Sequence, residues 1–273
     1  MSIEQIIVLA LIQGITEYLP ISSSGHLILV PFLTGWPDQG VVTDMVTNLG
    51  TLFATIIYFW RDVVAMFWGF FDLIKRRSTY NSNLFRNVVI GTIPIVVAGI
   101  LLKVTHVDHY IRSPLLVATN FIVFGLLLYA ADAYGLFRNT VRDITWKTAL
   151  LIGCAQMFSL SPGTSRSGVT MTAGRALGYV RPEAARFSFL LSIPANAAAS
   201  IFIIGNAYKS GEHLSSPVII TGILTFFVGL GTITLLMRLV RNHSFLPFVI
   251  YRVIMGGALL GLIYSGVVLG GVN

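Results

Sequence analysis

Hydrophobic residues in this chain come in long unbroken runs, not in the short alternations of a half-buried sheet. Six runs, at about 44–60, 87–104, 115–136, 187–208, 217–238 and 246–270, approach the ~20 apolar residues a helix needs to cross a bilayer. Two further regions, 3–36 and 147–180, are equally apolar but interrupted. The first is broken by EYLPISSSGH (17–26) and the second by SLSPGTSRSG (159–168). Each flanking arm has about 10–15 residues, the length of a re-entrant half-helix and too short for a span. Pro20 and Pro162, each near serine and glycine, prevent one continuous helix through either interruption. Alternation over about ten residues, the mark of a membrane β-barrel, is absent. The pattern predicts an all-α integral membrane protein of six transmembrane helices plus two re-entrant helical hairpins.

Composition agrees. Of 273 residues 55% are hydrophobic and 11% charged, and the mean hydropathy is +0.81. Soluble domains carry about 25% charged residues, so a water-soluble fold of this length could not cover its surface. The lone Cys154 excludes an internal disulfide and, lying in an apolar stretch, is expected to be a buried small hydrophobe. The net charge of +7 points to a loop bias and not to nucleic acid. The connections 61–86, 137–147, 174–186 and 238–243 carry +3, +2, +2 and +2, whereas 31–44, 103–113 and 209–213 carry −2, +1 and 0. Threading the six spans alternately, with each hairpin returning to its own side, puts every basic connection on one face. By the positive-inside rule that face is cytoplasmic.

The same threading divides the chain into two halves, about 1–137 and 138–273, each a hairpin followed by three spans and opposite in orientation. An offset of 143 aligns Gln13 with Gln156, Ser22 with Ser165, Ser24 with Ser167 and Gly25 with Gly168. This is the expected signature of an inverted-topology repeat, in which sites form where broken helices converge.

Chemistry concentrates at the two interruptions. One tip offers Gln13, Glu17, Ser22, Ser23, Ser24, Gly25 and His26, and the other Thr164, Ser165, Arg166, Ser167 and Gly168. Non-helical backbone and ionisable groups at membrane depth survive where they line a site. Helix N-termini favour anions, arginine forks onto phosphate oxygens, and a carboxylate beside an anion invites a divalent cation, Mg2+ or Ca2+, with Glu17 as its ligand. The inventory suits a phosphorylated group. Plainer readings stand beside it: serines can serve helix packing, and Glu17 with Arg166 can be an ion pair of structure alone. His106, His109, His213 and His243 fall in expected loops as solvated groups. FWGFF (67–71), before KRR, reads as an amphipathic interfacial helix, Trp36, Trp60 and Trp146 as interfacial anchors, and Asn196 as a helix-packing group.

LIQGITEYLPISSSGH (11–26) and SPGTSRSG (161–168) resemble the two signature motifs of the bacterial undecaprenyl-diphosphatases of the bacitracin-resistance type. The likeness continues through NLGTLFATIIYFWRD (48–62), FSFLLSIP (187–194) and SFLPFVIYR (244–252), nearly the whole chain. The resemblance implies hydrolysis of undecaprenyl diphosphate to the monophosphate, recycling the lipid carrier of cell-wall synthesis. It also implies a divalent metal and an inner-membrane site reached from the periplasm. Gln13 and Glu17 fall on the family's acidic motif, where Gln13 replaces a first glutamate and leaves one carboxylate in this motif. Its serine-histidine turn falls on Ser22, Ser23, Ser24 and His26, and its arginine loop on Ser165, Arg166 and Ser167.

The expected partners are a polyprenyl diphosphate and membrane lipids, with self-association into a homodimer left open and nucleic acid excluded. Arg166 and the turn amides are expected to hold the diphosphate, Glu17 to bind metal or act as base, and His26 to protonate the leaving group. Ser23 is the preferred nucleophile, with water and His26 as alternatives. The competing class is a lipid-phosphate flippase or transporter on the same inverted-repeat scaffold. An intramembrane serine protease is disfavoured, because peptide hydrolysis gives Arg166 no task.

Overall fold

The computed structural model describes residues 1–105, 113–135, 137–209 and 215–266. Among the described residues lie α1 (Ile3–Thr16), α2 (Ser23–Thr34), α3 (Val41–Tyr58), α4 (Trp60–Ile74), α5 (Tyr80–Thr105) and α6 (Pro114–Ala133). They are followed by α7 (Trp146–Gln156), α8 (Arg166–Ala176), α9 (Arg181–Lys209), α10 (Ser216–Asn242) and α11 (Leu246–Tyr264). The protein is all-α. Six helices are long and apolar enough to cross a membrane: α3, α5, α6, α9 over Arg181–Ile203, α10 and α11. Each coincides with an expected span, and each broken region resolves into two short helices, α1 with α2 and α7 with α8.

Boundaries differ where hydrophobicity and helicity diverge. α5 and α9 begin six or seven residues, about two turns, before their apolar runs, because main-chain hydrogen bonding continues through polar sequence. The FWGFF segment is helical, in α4, with Phe67, Trp68, Phe70 and Phe71 exposed. Gly69 presses on α5: a Cβ there would lie 2.1 Å from the Asn81 carbonyl oxygen. Cys154 corrects an expectation. It is exposed, because α7 turns Ala149, Ile152, Gly153 and Gln156 inward and leaves Cys154 on the opposite face. An apolar run cannot distinguish a lipid-facing position from a core one. His243 is exposed as expected, while His106, His109 and His213 lie outside the described residues.

Helix packing follows a regular exchange. α1 lies along α10 and α7 along α5; α3 lies along α10 and α9 along α5; α6 pairs with α11 and α3 with α9. Exchanging α1, α2, α3, α5 and α6 for α7, α8, α9, α10 and α11 maps each of these pairings onto another in the set, compatible with the expected repeat. Glycines permit the closest crossings. A Cβ on Gly153 would meet the Gly91 carbonyl oxygen at 2.2 Å, and one on Gly50 the Gly222 carbonyl oxygen at 2.4 Å. The main core runs along α9 through Phe187, Phe189, Leu190 and Leu191 and takes in Tyr18 from the first turn.

The basic connections gather at one end. Arg186 pairs with Asp62 and Glu183, and Glu183 also accepts from the Val141 amide at 3.1 Å. Asp132 accepts from Arg175 Nε at 2.8 Å, Arg181 Nε at 2.8 Å and the Phe245 amide at 3.1 Å. Acidic side chains thus tie 61–86 and 137–147 to 174–186, and Asp132 ties 174–186 to Phe245, just after 238–243.

Candidate functional site

Both interruptions restart their helices in the same unusual way. Ser22, before α2, has φ 74 and ψ 98; Ser165, before α8, has φ 73 and ψ 112. Left-handed backbone at a non-glycine residue costs about 1–3 kcal/mol. Finding it twice, at the expected offset of 143, points to a shared task. Each serine caps its helix, accepting from the Gly25 amide at 3.4 Å or the Gly168 amide at 3.1 Å. Each also meets the serine two residues further on, Ser24 or Ser167, at 3.3 Å. Both glycines are close-approach positions. A Cβ on Gly25 would lie 2.6 Å from Phe121 Cε2, and one on Gly168 3.3 Å from Arg252 Nη1.

The caps aim two helix N-termini and their first-turn residues at Glu17. This buried carboxylate, at the end of α1, collects donors from three helices. Ser23 Oγ donates to its Oε2 at 2.7 Å, Arg166 Nη2 to Oε1 at 2.7 Å, and Gln13 Nε2 to Oε2 at 3.2 Å. Ser167 Oγ joins the two turns through the carbonyls of Glu17 (3.2 Å) and Leu19 (3.1 Å). Gln13, Glu17, Ser23, Arg166 and Ser167 therefore form one constellation, although sequence distance separates them into two groups. Arg166 and Glu17 retain 13% and 9% exposure. The arrangement offers a serine hydroxyl already bonded to a carboxylate, and a guanidinium beside it. Such a pair can deprotonate a nucleophile and hold an anion.

His26 is oriented differently. Its Nδ1 lies 2.6 Å from the Ser22 carbonyl oxygen, which can only accept, so Nδ1 carries the proton of the neutral ring. Nε2 then accepts from Tyr251 Oη at 2.6 Å, and the two rings stack at 5.6 Å. His26 is thus tied to Tyr251 on α11 and shows no contact with Glu17 or Arg166. Ser24 is exposed beyond Ser22, and Thr164 is buried.

Several buried polar atoms lack a hydrogen-bond partner among the described residues: Gln13 Oε1, Arg166 Nη1, Thr164 Oγ1 and both amide atoms of Gln156. The first two belong to the constellation. Arg166 Nη1 is a spare donor of the kind a phosphate oxygen takes. Gln13 Oε1, one side chain from the Glu17 carboxylate, is a spare hard-oxygen donor. No cluster of three His, Cys, Asp or Glu able to hold a metal occurs among the described residues. A hard divalent cation here would have Glu17 and Gln13 Oε1 as its protein ligands and would take the rest of its coordination from a phosphorylated ligand.

Sequence reasoning missed Asn48, which accepts from Gln13 Nε2 at 3.1 Å, and Tyr251. It also assigned no role to Arg252, a charge inside an apolar span, or to Asn120. The first two lie outside the two signature motifs, in stretches that only extend the likeness, whereas a charge at membrane depth is a signal in itself.

Comparison with known proteins identifies the scaffold. The family described as Bacitracin resistance protein BacA matches residues 6–258. "Undecaprenyl-diphosphatase 2" of Stutzerimonas stutzeri is 45% identical over 276 residues, covering 98% of this chain and 100% of the relative. "Undecaprenyl-diphosphatase 1" of Pseudoalteromonas translucida is 44% identical, covering 95% and 98%, and "Undecaprenyl-diphosphatase" of Erythrobacter litoralis is 43% identical, covering 95% and 99%. The chain belongs to the bacitracin resistance protein BacA family.

Proposed function

We propose that this member of the BacA family hydrolyses undecaprenyl diphosphate to undecaprenyl phosphate and inorganic phosphate, recycling the lipid carrier for peptidoglycan synthesis and so conferring bacitracin resistance. The observation that carries the reading is the Glu17 carboxylate held between Ser23 and Arg166. It joins the hairpin turns into one anion-binding, nucleophile-activating site, and the relatives' names supply the substrate.

The chain's own residues support the following course. Arg166 and the first-turn amides of α2 and α8 grip the diphosphate, the amides because a helix's first turn has N–H groups without intrahelical partners, while Ser167 ties the two turns together. Glu17 takes the proton from Ser23 Oγ as that oxygen attacks the terminal phosphorus. The bond from phosphorus to the bridging oxygen breaks, undecaprenyl phosphate leaves, and a phosphoserine remains. Glu17 passes its proton to the departing phosphate oxygen and is again a carboxylate; it then deprotonates water, which attacks the phosphoserine, releases phosphate and leaves the proton for Ser23 Oγ. Arg166 stabilises the charge on the equatorial oxygens in both steps. A divalent cation held by Glu17 and Gln13 Oε1 would neutralise phosphate charge when bound. Ser22, Ser165, Gly25 and Gly168 shape the turns, while Ser24 and Thr164 flank them. His26, whose Nε2 accepts from Tyr251, protonates a leaving group on that side only once Nε2 has itself taken up a proton.

The charge pattern supports an inverted repeat with halves near 1–137 and 138–273, placed in the bacterial inner membrane. Its basic face would be cytoplasmic and its site reached from the periplasmic side. In reconstituted vesicles, undecaprenyl diphosphate should yield inorganic phosphate. Movement of the intact lipid between leaflets with no phosphate released would instead identify a transporter on this scaffold.

A further inference from the structure

Arg252 sits on α11, inside an apolar span, and is fully buried. The partners of its guanidinium are main-chain carbonyls. Nε donates to Phe121 O at 3.0 Å, Nη1 to Pro20 O at 3.1 Å, and Nη2 to Asn120 O and Gly163 O, each at 2.9 Å. Burying a guanidinium this way is expensive, and an apolar side chain would instead leave the Pro20 and Gly163 carbonyls without this donor. Its retention needs a task that apolar packing cannot perform.

The identity of the carbonyls supplies one. Pro20 stands two residues before left-handed Ser22, and Gly163 two residues before left-handed Ser165. They are the same position in the two turns, related by the offset of 143 that relates the serine caps. One planar fork thus holds equivalent points of both hairpins. Asn120 completes the grip from α6. While its carbonyl accepts from Arg252, its Nδ2 donates to Ser161 Oγ at 2.8 Å and Pro162 O at 2.7 Å. Phe121, whose carbonyl Arg252 also holds, presses its ring against Gly25.

We infer that Arg252 and Asn120 are positioning residues: a clamp behind the site that sets the register of one turn against the other. That register fixes how Glu17 and Ser23, carried by the first hairpin, meet Arg166, carried by the second. The clamp also stations a positive charge behind the anion site. The inference rests on the diphosphatase reading for its kinetic consequence and on the hydrogen bonds alone for its mechanical one.

The test compares purified full-length wild type with Arg252→Lys, Arg252→Gln and Asn120→Ala. Phosphate release from undecaprenyl diphosphate is normalised to folded protein, and hydrogen exchange is followed over 18–26 and 159–168. A misplacement of about 1 Å costs roughly 100-fold in rate, so kcat should fall on that order with KM within about threefold. Combining Arg252→Lys with Arg166→Lys should cost little more than the worse single change, since both act on one contact. Exchange should quicken in both turns together for the Arg252 variants. Near-normal kcat per folded molecule, multiplying losses, or quickening confined to one turn would each overturn the clamp. If the Arg252 variants do not fold, kcat in Asn120→Ala decides. An inactive wild type would condemn the diphosphatase reading alone, and the exchange data would still judge the clamp.

Discussion

Replacing Glu17 by glutamine keeps the shape of the site and removes its central charge. At 2.7 Å and an effective dielectric of about 20, the Glu17–Arg166 attraction is about 6 kcal/mol, most of it offset by desolvation of both groups. The glutamine Oε1 can still accept from Arg166, and that arginine retains some solvent, so the loss of stability should be about 1–3 kcal/mol, below that of a fully buried broken pair. Activity should suffer far more. Ser23 loses the acceptor 2.7 Å away that would take its proton, and general-base removal costs roughly 100- to 10,000-fold, or about 3–5 kcal/mol of barrier. The two effects separate in a double variant. Glu17→Gln with Arg166→Gln should recover stability relative to Glu17→Gln, because no unpaired charge remains, yet stay inactive. Phosphate release alongside thermal unfolding in detergent reads both quantities. Glu17→Gln turning over within tenfold of wild type would refute Glu17 as base.

Other substitutions isolate the remaining parts. Ser22→Ala should lower stability by about 1 kcal/mol through the lost cap, while Ser22→Gly, which relieves the positive φ, should fall close to wild type; unfolding midpoints decide. Tyr251→Phe leaves His26 Nε2 without its donor and should shift the pH dependence of kcat, whereas an unchanged profile would remove His26 from proton transfer. Gln13→Glu supplies the second carboxylate and should lower the magnesium or calcium concentration for half-activation roughly tenfold. An unchanged requirement would place the metal elsewhere.

The spans were legible because bilayer thickness dictates long apolar runs, and the hairpins because proline, glycine and serine interrupt them. The meeting of Glu17 with Arg166 was legible through charge: two opposite ionisable groups at membrane depth have few partners but each other. Asn48, Asn120 and Tyr251 were not, since each lies within a membrane span, and whether it faces lipid or a turn depends on helix rotation. The same ambiguity put Cys154 in the core when α7 turns it outward. Arg252 had the charge signal but no acidic partner in sequence; its partners are carbonyls, which any residue carries. Both left-handed serines were hidden because serine does not advertise positive φ as glycine does.

The most direct test is inorganic phosphate release from undecaprenyl diphosphate by purified protein in magnesium or calcium, beside Glu17→Ala and Arg166→Ala. The account predicts metal-stimulated release by wild type and at least a 100-fold loss in each variant. Full turnover in Arg166→Ala, or no release from folded wild type, would contradict it.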